Sequence, residues 1–451
     1  MGVAYRQRHR AKPLCRVSSR NSVVARTGNA ERLDRRRGNA RKYAVQGAAA
    51  LKSARQGVFM HYDFDAVIDR RGTYSSKWES AALRRGAGRN GETIPMMVAD
   101  MDFACAPALQ AAMHRVADHG IYGYTSYAAE PRYLGSIADW YRRRHRTEIR
   151  EEWVAYSDGS ISAILSALHM FTNTGDGVII LRPVYGRFTG IIQDNLYRKV
   201  VSSHLLNDGG YYTVDWDDFE RKCAVPTNRA FVLASPANPV GRVWSEGELR
   251  RLAEICRKHR VLFVSDEIHS DIVREGAEHR TILSATDDWS NVILVGGITK
   301  SFNVAGLRCA NVVIPDDTLR GIFTKEFGRR MPSPFSIAAV IAAYDESEEW
   351  LGALNRYLDG NVDFALGFLR KRLPQVQVWR PEGTYMLWLD FRAYGLSDAE
   401  IHHRIYVDAN VLLQDGLIHD SDQGECFQRM CVALPRSVLE QALLRIAAVF
   451  A

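Results

Sequence analysis

From about residue 106 the chain alternates two kinds of apolar pattern. Short unbroken runs, "GVIIL" (177–181), "AFVLAS" (230–235), "VLFVSD" (261–266) and "NVILVGG" (291–297), are rich in β-branched residues and bounded by polar or turn residues. A half-exposed strand would alternate, so unbroken runs of this length predict strands covered on both faces. Between them lie stretches with helical period, such as "SEGELRRLAEICRKHR", where Ser245 can cap the first turn and Glu248 stands three residues on. Strands alternating with helices predict an α/β fold with a mostly parallel sheet and right-handed crossovers. In such sheets ligands gather beyond the carboxyl ends of the strands.

The pattern changes toward the C-terminus. A long helical passage near 345–372 is followed by "VQVWRPEGTYMLWLDF", which alternates around a Glu-Gly turn as a hairpin would. A helix, a short strand and the final helix "SVLEQALLRIAAVF" complete what reads as a smaller α+β domain. The expected division is a large domain over 106–345 and a small domain made of 60–105 together with 346–451. No internal repeat or low-complexity tract interrupts this body.

Composition narrows the class. No run of about twenty apolar residues occurs, so no membrane-spanning helix is expected. The seven cysteines are odd in number, scattered and without a CxxC pair, which argues against a disulfide framework or a zinc site and for a reducing cytoplasm. The charge is uneven. Residues 1–59 hold 12 Arg and 3 Lys against Glu31 and Asp34, a net of +13, while the whole chain is +7, so residues 60–451 carry −6.

That basic segment shows little apolar periodicity, and high charge with low hydrophobicity favours disorder. It reads as an inert extension or as a mis-assigned start, with the domain opening at Met60; a nucleic-acid arm and an organelle transit peptide are the weaker alternatives. The pattern argues against nucleic acid as a partner of the body.

Chemistry enters at three strand ends. "SPANPVGR" offers Asn238 after one run, "SDEIH" puts Asp266 at the end of the next, and "ITKSFN" puts Lys300 after a third. The separations are 28 and 34 residues, which suit successive strand–helix–strand connections and bring all three to one edge of the sheet. Singly, each has an ordinary reading: a solvated loop lysine, a helix-capping aspartate. Together they suit pyridoxal phosphate, which needs a lysine for its aldehyde, an acid at its ring nitrogen and a donor at its phenolic oxygen. Partial desolvation would lower the pKa of Lys300 and free its amine. Competing motifs are absent: no G-K-S/T loop, no HExxH, no GxSxG, and "IHHR" without further ligands in metal spacing.

The stretches "YDFDAVIDRRGTYSSKWE", "PMMVADMDF", "IYGYTSY", "RPVYGRF", "SPANPVGRVWSEGEL", "VSDEIHSDIV", "TKSFNVAGL", "RPEGTYMLWLD" and "FQRMCVALPR" resemble the fold-type I pyridoxal-phosphate enzymes, and among them the MalY/PatB group of cystathionine β-lyases. The resemblance runs from Met60 to Ala451. It implies an aspartate aminotransferase-like fold, with Lys300 joined to the cofactor aldehyde and moving the substrate Cα proton. By the same resemblance Asp266 pairs with the ring nitrogen, Asn238 donates to the phenolic oxygen with His269 close by, and Tyr185 stacks on the ring. Gly159 and the amides of Ser160 and Ile161 would cradle the phosphate at a helix start, with side-chain contacts from Thr299 and Arg308. Tyr124 would reach the phosphate of a neighbouring subunit, which implies a homodimer with a shared site. Arg429 would grip the substrate α-carboxylate.

Four positions depart from the group's pattern. Gly297 replaces a serine three residues before the lysine, removing a phosphate donor. Arg308 stands where aminotransferases place a phosphate-binding arginine. Cys431 replaces the asparagine that continues the arginine motif. Gly186 replaces a bulkier residue beside the stacking tyrosine, which suggests a wider or shifted pocket. The implied activity is α,β-elimination of an L-cysteine S-conjugate, releasing a thiol, pyruvate and ammonia. An aminotransferase is the alternative, and a ligand-sensing regulator on the same fold a more distant one.

Overall fold

A computed structural model describes residues 62–80, 92–127, 130–327 and 330–450. The expectations for residues 1–59 lie outside the described residues. His61–Ala451 forms one unit.

Seven strands build the central sheet: β1 (Val154–Ser157), β2 (Gly177–Arg182), β3 (Lys199–His204), β4 (Asn228–Ala234), β5 (Leu262–Asp266), β6 (Val292–Gly296) and β7 (Ala310–Val313). Their spatial order is β1-β7-β6-β5-β4-β2-β3. β7 runs antiparallel to both β1 and β6, and every other pairing is parallel. Each apolar run of the sequence became a strand within one or two residues of its expected bounds. The two-residue period then divides each strand between two cores. Ile179, Leu181, Phe231, Leu233 and Phe263 face one, while Val178, Ile180, Val232 and Val264 face the other.

Nine helices of eight or more residues occur among the described residues: α1 (Pro107–His119), α2 (Pro131–His145), α3 (Ser160–Phe171), α4 (Trp216–Cys223), α5 (Glu246–Lys258), α6 (Asp317–Phe327), α7 (Pro334–Glu346), α8 (Glu348–Arg372) and α9 (Arg436–Phe450). None is long and apolar enough to cross a membrane. α5 shows why these sequences are helical. Ser245 and Glu248 close a reciprocal capping box, and Leu249, Leu252, Ala253, Ile255 and Cys256 make the buried stripe. α3 is less amphipathic because it is covered almost all round; Ala163, Ile164, Ala167 and Leu168 pack beneath the sheet.

A second sheet of three strands, β8 (Met386–Asp390), β9 (Gln414–Asp415) and β10 (Phe427–Cys431), is antiparallel in the order β8-β10-β9. The hairpin expected over "VQVWRPEGTYMLWLDF" forms only in part. Its second leg is β8, but its first leg meets that strand through a single bridge, Gln377 to Asp390. The Glu-Gly turn is held elsewhere: the amides of Glu382 and Gly383 both donate to the Gly241 carbonyl, at 2.8 Å and 2.9 Å, and Arg242 Nε donates to Glu382 Oε2 at 3.0 Å. Tertiary hydrogen bonds thus displaced a local ladder. The "IHHR" pair also differs from its expectation, since His402 Nε2 lies 3.7 Å and 3.5 Å from the Asp398 and Asp415 carboxylates. Its imidazole pKa is raised, chiefly by the nearby Asp415 carboxylate, as in an ion pair.

The stretches "YDFDAVIDRRGTYSSKWE" and "VADMDF" explain each other. Lys77, fully buried, donates to Asp102 Oδ2 at 2.7 Å and to the Asp100 carbonyl at 3.0 Å. Arg70 bridges Asp100 and Asp102 at 2.7 Å and 2.8 Å, and Trp78 Nε1 donates to Asp102 Oδ1 at 3.1 Å. Asn303 Nδ2 ties the same segment down through the Met101 and Phe103 carbonyls, at 3.2 Å and 2.7 Å. Replacing Lys77 by methionine leaves a buried carboxylate short of one cation. Urea unfolding should show a loss of about 3 kcal/mol, near the low end for a broken buried pair because Arg70 remains. A loss below about 1 kcal/mol would mean that Arg70 and Trp78 alone hold the segment.

Candidate active site

The parallel strands deliver their carboxyl ends to one place. Asp158 and Gly159 follow β1, Tyr185 follows β2, Pro236 and Asn238 follow β4, Ile268 and His269 follow Asp266 at the end of β5, and Thr299 and Lys300 follow β6. All of them line a single cavity of about 530 Å3, together with Ser160, Ile161 and Arg308. That volume is within the usual range for a small-molecule site.

Lys300 sits in the helical turn Ile298–Ser301. Its Nζ donates to the Ala99 carbonyl at 2.6 Å, so the segment clamped by Lys77 and Arg70 also aims this amine. Burial lowers the lysine pKa, with Arg429 acting in the same direction and Asp100, Cys431 and Asp266 opposing. The turn opens at Gly297 with φ +147°. A Cβ there would stand 3.1 Å from Ala310 Cα and 3.3 Å from the Cys309 carbonyl oxygen. The glycine that removes a phosphate donor therefore matches a backbone where a side chain would be crowded.

Asp266 is buried at the end of β5, and the amide of Ile268 donates to Oδ1 at a long 3.3 Å. Burial pushes its carboxyl up to about 7, against that bond and the Lys300 charge. His269, also buried, is driven down to about 3 by desolvation and by the charges of Lys300 and Arg429. Its Nδ1 has no partner among the described residues. An underlying network stiffens this floor. Asp271 accepts from Trp140 Nε1 and is hydrogen-bonded to His145 Nε2, both at 3.0 Å, and accepts from Ser301 Oγ at 2.6 Å, one residue beyond Lys300.

At the other end of the cavity α3 begins. Gly159 precedes it with φ +110°, no side chain caps the helix, and its first turn holds no acidic residue. A Cβ on Gly159 would meet nothing within 4 Å. Uncapped amides at the positive end of a twelve-residue helix, facing open space, are the features of an anion site. Thr299 and Arg308 line the same cavity.

Arg429 belongs to β10 and is buried at 1 % exposure behind the cavity wall. Its Nη1 donates to Asn238 Oδ1 at 2.9 Å and its Nη2 to the Met97 carbonyl at 2.8 Å, leaving Nε without a partner among the described residues. Burial lowers its pKa to about 10. Cys431, two residues on, is buried with Sγ 4.0 Å from the Asp100 carbonyl. Tyr185 packs edge-on to Phe188 with ring centroids 6.0 Å apart, and burial raises its phenol pKa. The widening expected beside it does not occur. A Cβ on Gly186 would lie 2.3 Å from the Ile418 carbonyl and 2.6 Å from its Cγ2, so the 416–418 turn occupies the space of the missing side chain. Tyr124 is fully exposed and is not among the residues lining this cavity.

The sequence model for aminotransferase class I and II matches residues 93–446. The chain belongs to that family. Cystathionine beta-lyase PatB of Bacillus subtilis is 35 % identical over 390 residues, covering 86 % of this chain and 99 % of its own length. Protein MalY of Escherichia coli is 31 % identical over 387 residues, covering 85 % of this chain and 97 % of its own. A pyridoxal-phosphate-bound C-S lyase of Staphylococcus hominis superposes with a TM-score of 0.80 at 31 % identity, over 87 % of this chain and 99 % of that one. This member of the class I and II family is thus a pyridoxal-phosphate-dependent enzyme of the C-S lyase group.

The cavity fits that cofactor. The buried Asp266 carboxyl would suit a protonated ring nitrogen, the uncapped start of α3 a phosphate, and the desolvated Lys300 an aldehyde. Other lining residues of this family member were missed in the sequence: Ser162, Arg187, Asn195, Pro236, Ile268 and Arg330. Arg187 stood in the quoted "RPVYGRF" two positions after Tyr185, spacing that carries a residue round half a helical turn; Asn195 left no local signal.

Proposed function

We propose that this enzyme performs α,β-elimination on L-cysteine S-conjugates, giving a thiol, pyruvate and ammonia. The observation that carries the reading is that Lys300, Asp266 and Asn238 line one cavity together with the uncapped start of α3. Bound pyridoxal phosphate supplies an aldehyde that captures the substrate amine and a ring that delocalises the electron pair left at Cα. Arg429, its Nη1 held by Asn238 Oδ1, is the partner for the α-carboxylate and so sets which bond at Cα faces Lys300, while the Asn238 amide would donate to the phenolic oxygen. Lys300, its ammonium disfavoured by burial, takes the Cα proton through Nζ. Asp266 holds the balancing negative charge at the ring nitrogen, out of reach of water. The Cβ–S bond breaks as the electron pair from Cα forms the Cα–Cβ double bond, and Lys300 returns its proton to the departing sulfur. The three-carbon enamine then takes up water to give pyruvate and ammonia.

Exposed Tyr124, with Ile121 and Tyr122 beside it at 70 % and 57 % exposure, supports a homodimer in which Tyr124 completes the partner's phosphate site. No disulfide joins the six described cysteines, which fits a reducing compartment such as the cytoplasm.

An aminotransferase is the second reading, favoured by Arg308 in the cavity lining. Both readings share the cofactor site and part only after proton removal. Purified enzyme should release pyruvate from cystathionine with no keto acid present. Amino transfer that appears only when a keto acid is added, without acceptor-independent pyruvate, would replace elimination by transamination.

A further inference from the structure

The cavity carries more positive charge than the proposed chemistry uses. Its described walls contain four cationic side chains, Arg187, Lys300, Arg308 and Arg330, and two carboxylates, Asp158 and Asp266. Arg330 lies 3.8 Å from Asp158. On the proposed reading Arg308 would answer the cofactor phosphate, Asp266 the ring nitrogen, Lys300 the aldehyde and Arg429 the α-carboxylate. Arg187 is left over. It opens the short helical turn Arg187–Gly190 and is exposed, and its side chain makes no hydrogen bond or ion pair among the described residues. Its charge is near enough to Tyr185 to oppose the rise of that phenol. Asn195, which closes the following turn Ile191–Asn195, lines the same wall with an exposed amide.

We propose that Arg187, with Asn195 beside it, selects cysteine conjugates whose sulfur substituent carries a carboxylate or a similar anion. This rests on the elimination reading for its substrate class. The Cβ substituent is the one part of such a substrate without an assigned partner. An arginine fork and an amide on the wall beyond Tyr185 offer directed donors to an anion there. Ile418, by filling the space beside Gly186, keeps the wall from opening behind them.

The test compares S-carboxymethyl-L-cysteine with its uncharged amide, S-carbamoylmethyl-L-cysteine, which matches it in size. Each is titrated into the cofactor-loaded enzyme while the cofactor absorbance is followed, and pyruvate is measured separately. The wild type should bind the acid about 10- to 100-fold more tightly than the amide, as expected for a charge-assisted pair. Arg187→Gln should bring that ratio within about threefold of one, Arg187→Lys should leave an intermediate ratio, and Arg187→Glu should reverse it. Sodium chloride should weaken binding of the acid more than of the amide in the wild type, a readout that needs no variant. Equal affinities in the wild type, an unchanged ratio in Arg187→Gln, or equal weakening of both conjugates overturns the proposal; the last would place Arg187 at the α-carboxylate or the cofactor. Absence of pyruvate from either compound would instead defeat the elimination reading, while the affinity ratio still decides the role of Arg187.

Discussion

Replacing Lys300 by alanine is expected to lower turnover by about 10⁴-fold or more, the upper range for a positioned general base, because the same nitrogen is also the covalent anchor for the aldehyde. The alanine variant should keep its fold, since Lys300 makes one hydrogen bond, to the Ala99 carbonyl, and removing a partly desolvated charge relieves an unfavourable burial. Borohydride reduction of the loaded wild type followed by peptide mapping should place the cofactor on residue 300, and the variant should carry no label there. Turnover within about tenfold of wild type, or a label on another lysine, would move the chemistry elsewhere. The pKa of Lys300 is lowered mainly by burial, so wild-type activity should persist to lower pH than an ordinary amine base allows.

Asp266→Asn should have the second largest effect, about 10²- to 10³-fold in kcat, the cost of losing one preorganised charge at the reacting system. The cofactor-free proteins offer an independent readout. In the folded wild type the Asp266 carboxyl keeps its proton up to about pH 7, against an ordinary value of 3.8. Between those values the folded state binds more protons than the unfolded state, so this group makes stability fall as pH rises, by up to about 1.4 kcal/mol per pH unit. His269 acts oppositely. Held near 3 against an ordinary 6.5, it leaves the unfolded state with more protons, and its contribution rises with pH across that window. The two slopes oppose each other in the wild type. Asp266→Asn removes only the falling one, so the stability of the cofactor-free variant relative to wild type should climb from about pH 4 to about pH 7. Denaturant unfolding at three pH values checks this; a flat difference would mean that Asp266 is already ionised in the empty site.

Much of the site was legible because parallel sheets impose a simple rule. Once "AFVLAS", "VLFVSD" and "NVILVGG" are read as buried strands, the residues following them must share an edge, whatever the packing details. Asn238, Asp266 and Lys300 were found that way, and the resemblance added Gly159, Ser160, Ile161, Tyr185, His269, Thr299 and Arg308. Arg429 was less legible from pattern, since it lies on β10 of the other sheet and reaches the site through Asn238. Arg187 and Asn195 were missed because an arginine or asparagine on a turn is ordinarily solvated. Only the packing of that turn shows which side faces the cavity.

The hairpin and the pocket beside Gly186 failed for a related reason. Alternation in "VQVWRPEGTYMLWLDF" describes which faces are apolar but not which backbone groups will pair, and Gly241 with Arg242 captured the turn first. A glycine likewise states that a side chain is missing and not what fills the gap; here Ile418, more than 230 positions along the chain, does so.

Taken alone, the order of residues determined the strands, the capped helices, the parallel edge and the three residue types that meet there. Those depend on side-chain period and local backbone preference, which act over a few neighbours. Tertiary structure decided how Lys300 is aimed by Ala99, how Arg429 is held behind Asn238, and which arginines line the cavity. Each of these depends on desolvation and on contacts between segments some two hundred residues apart, where the energy comes from the surroundings and cannot be assigned to any one stretch of chain.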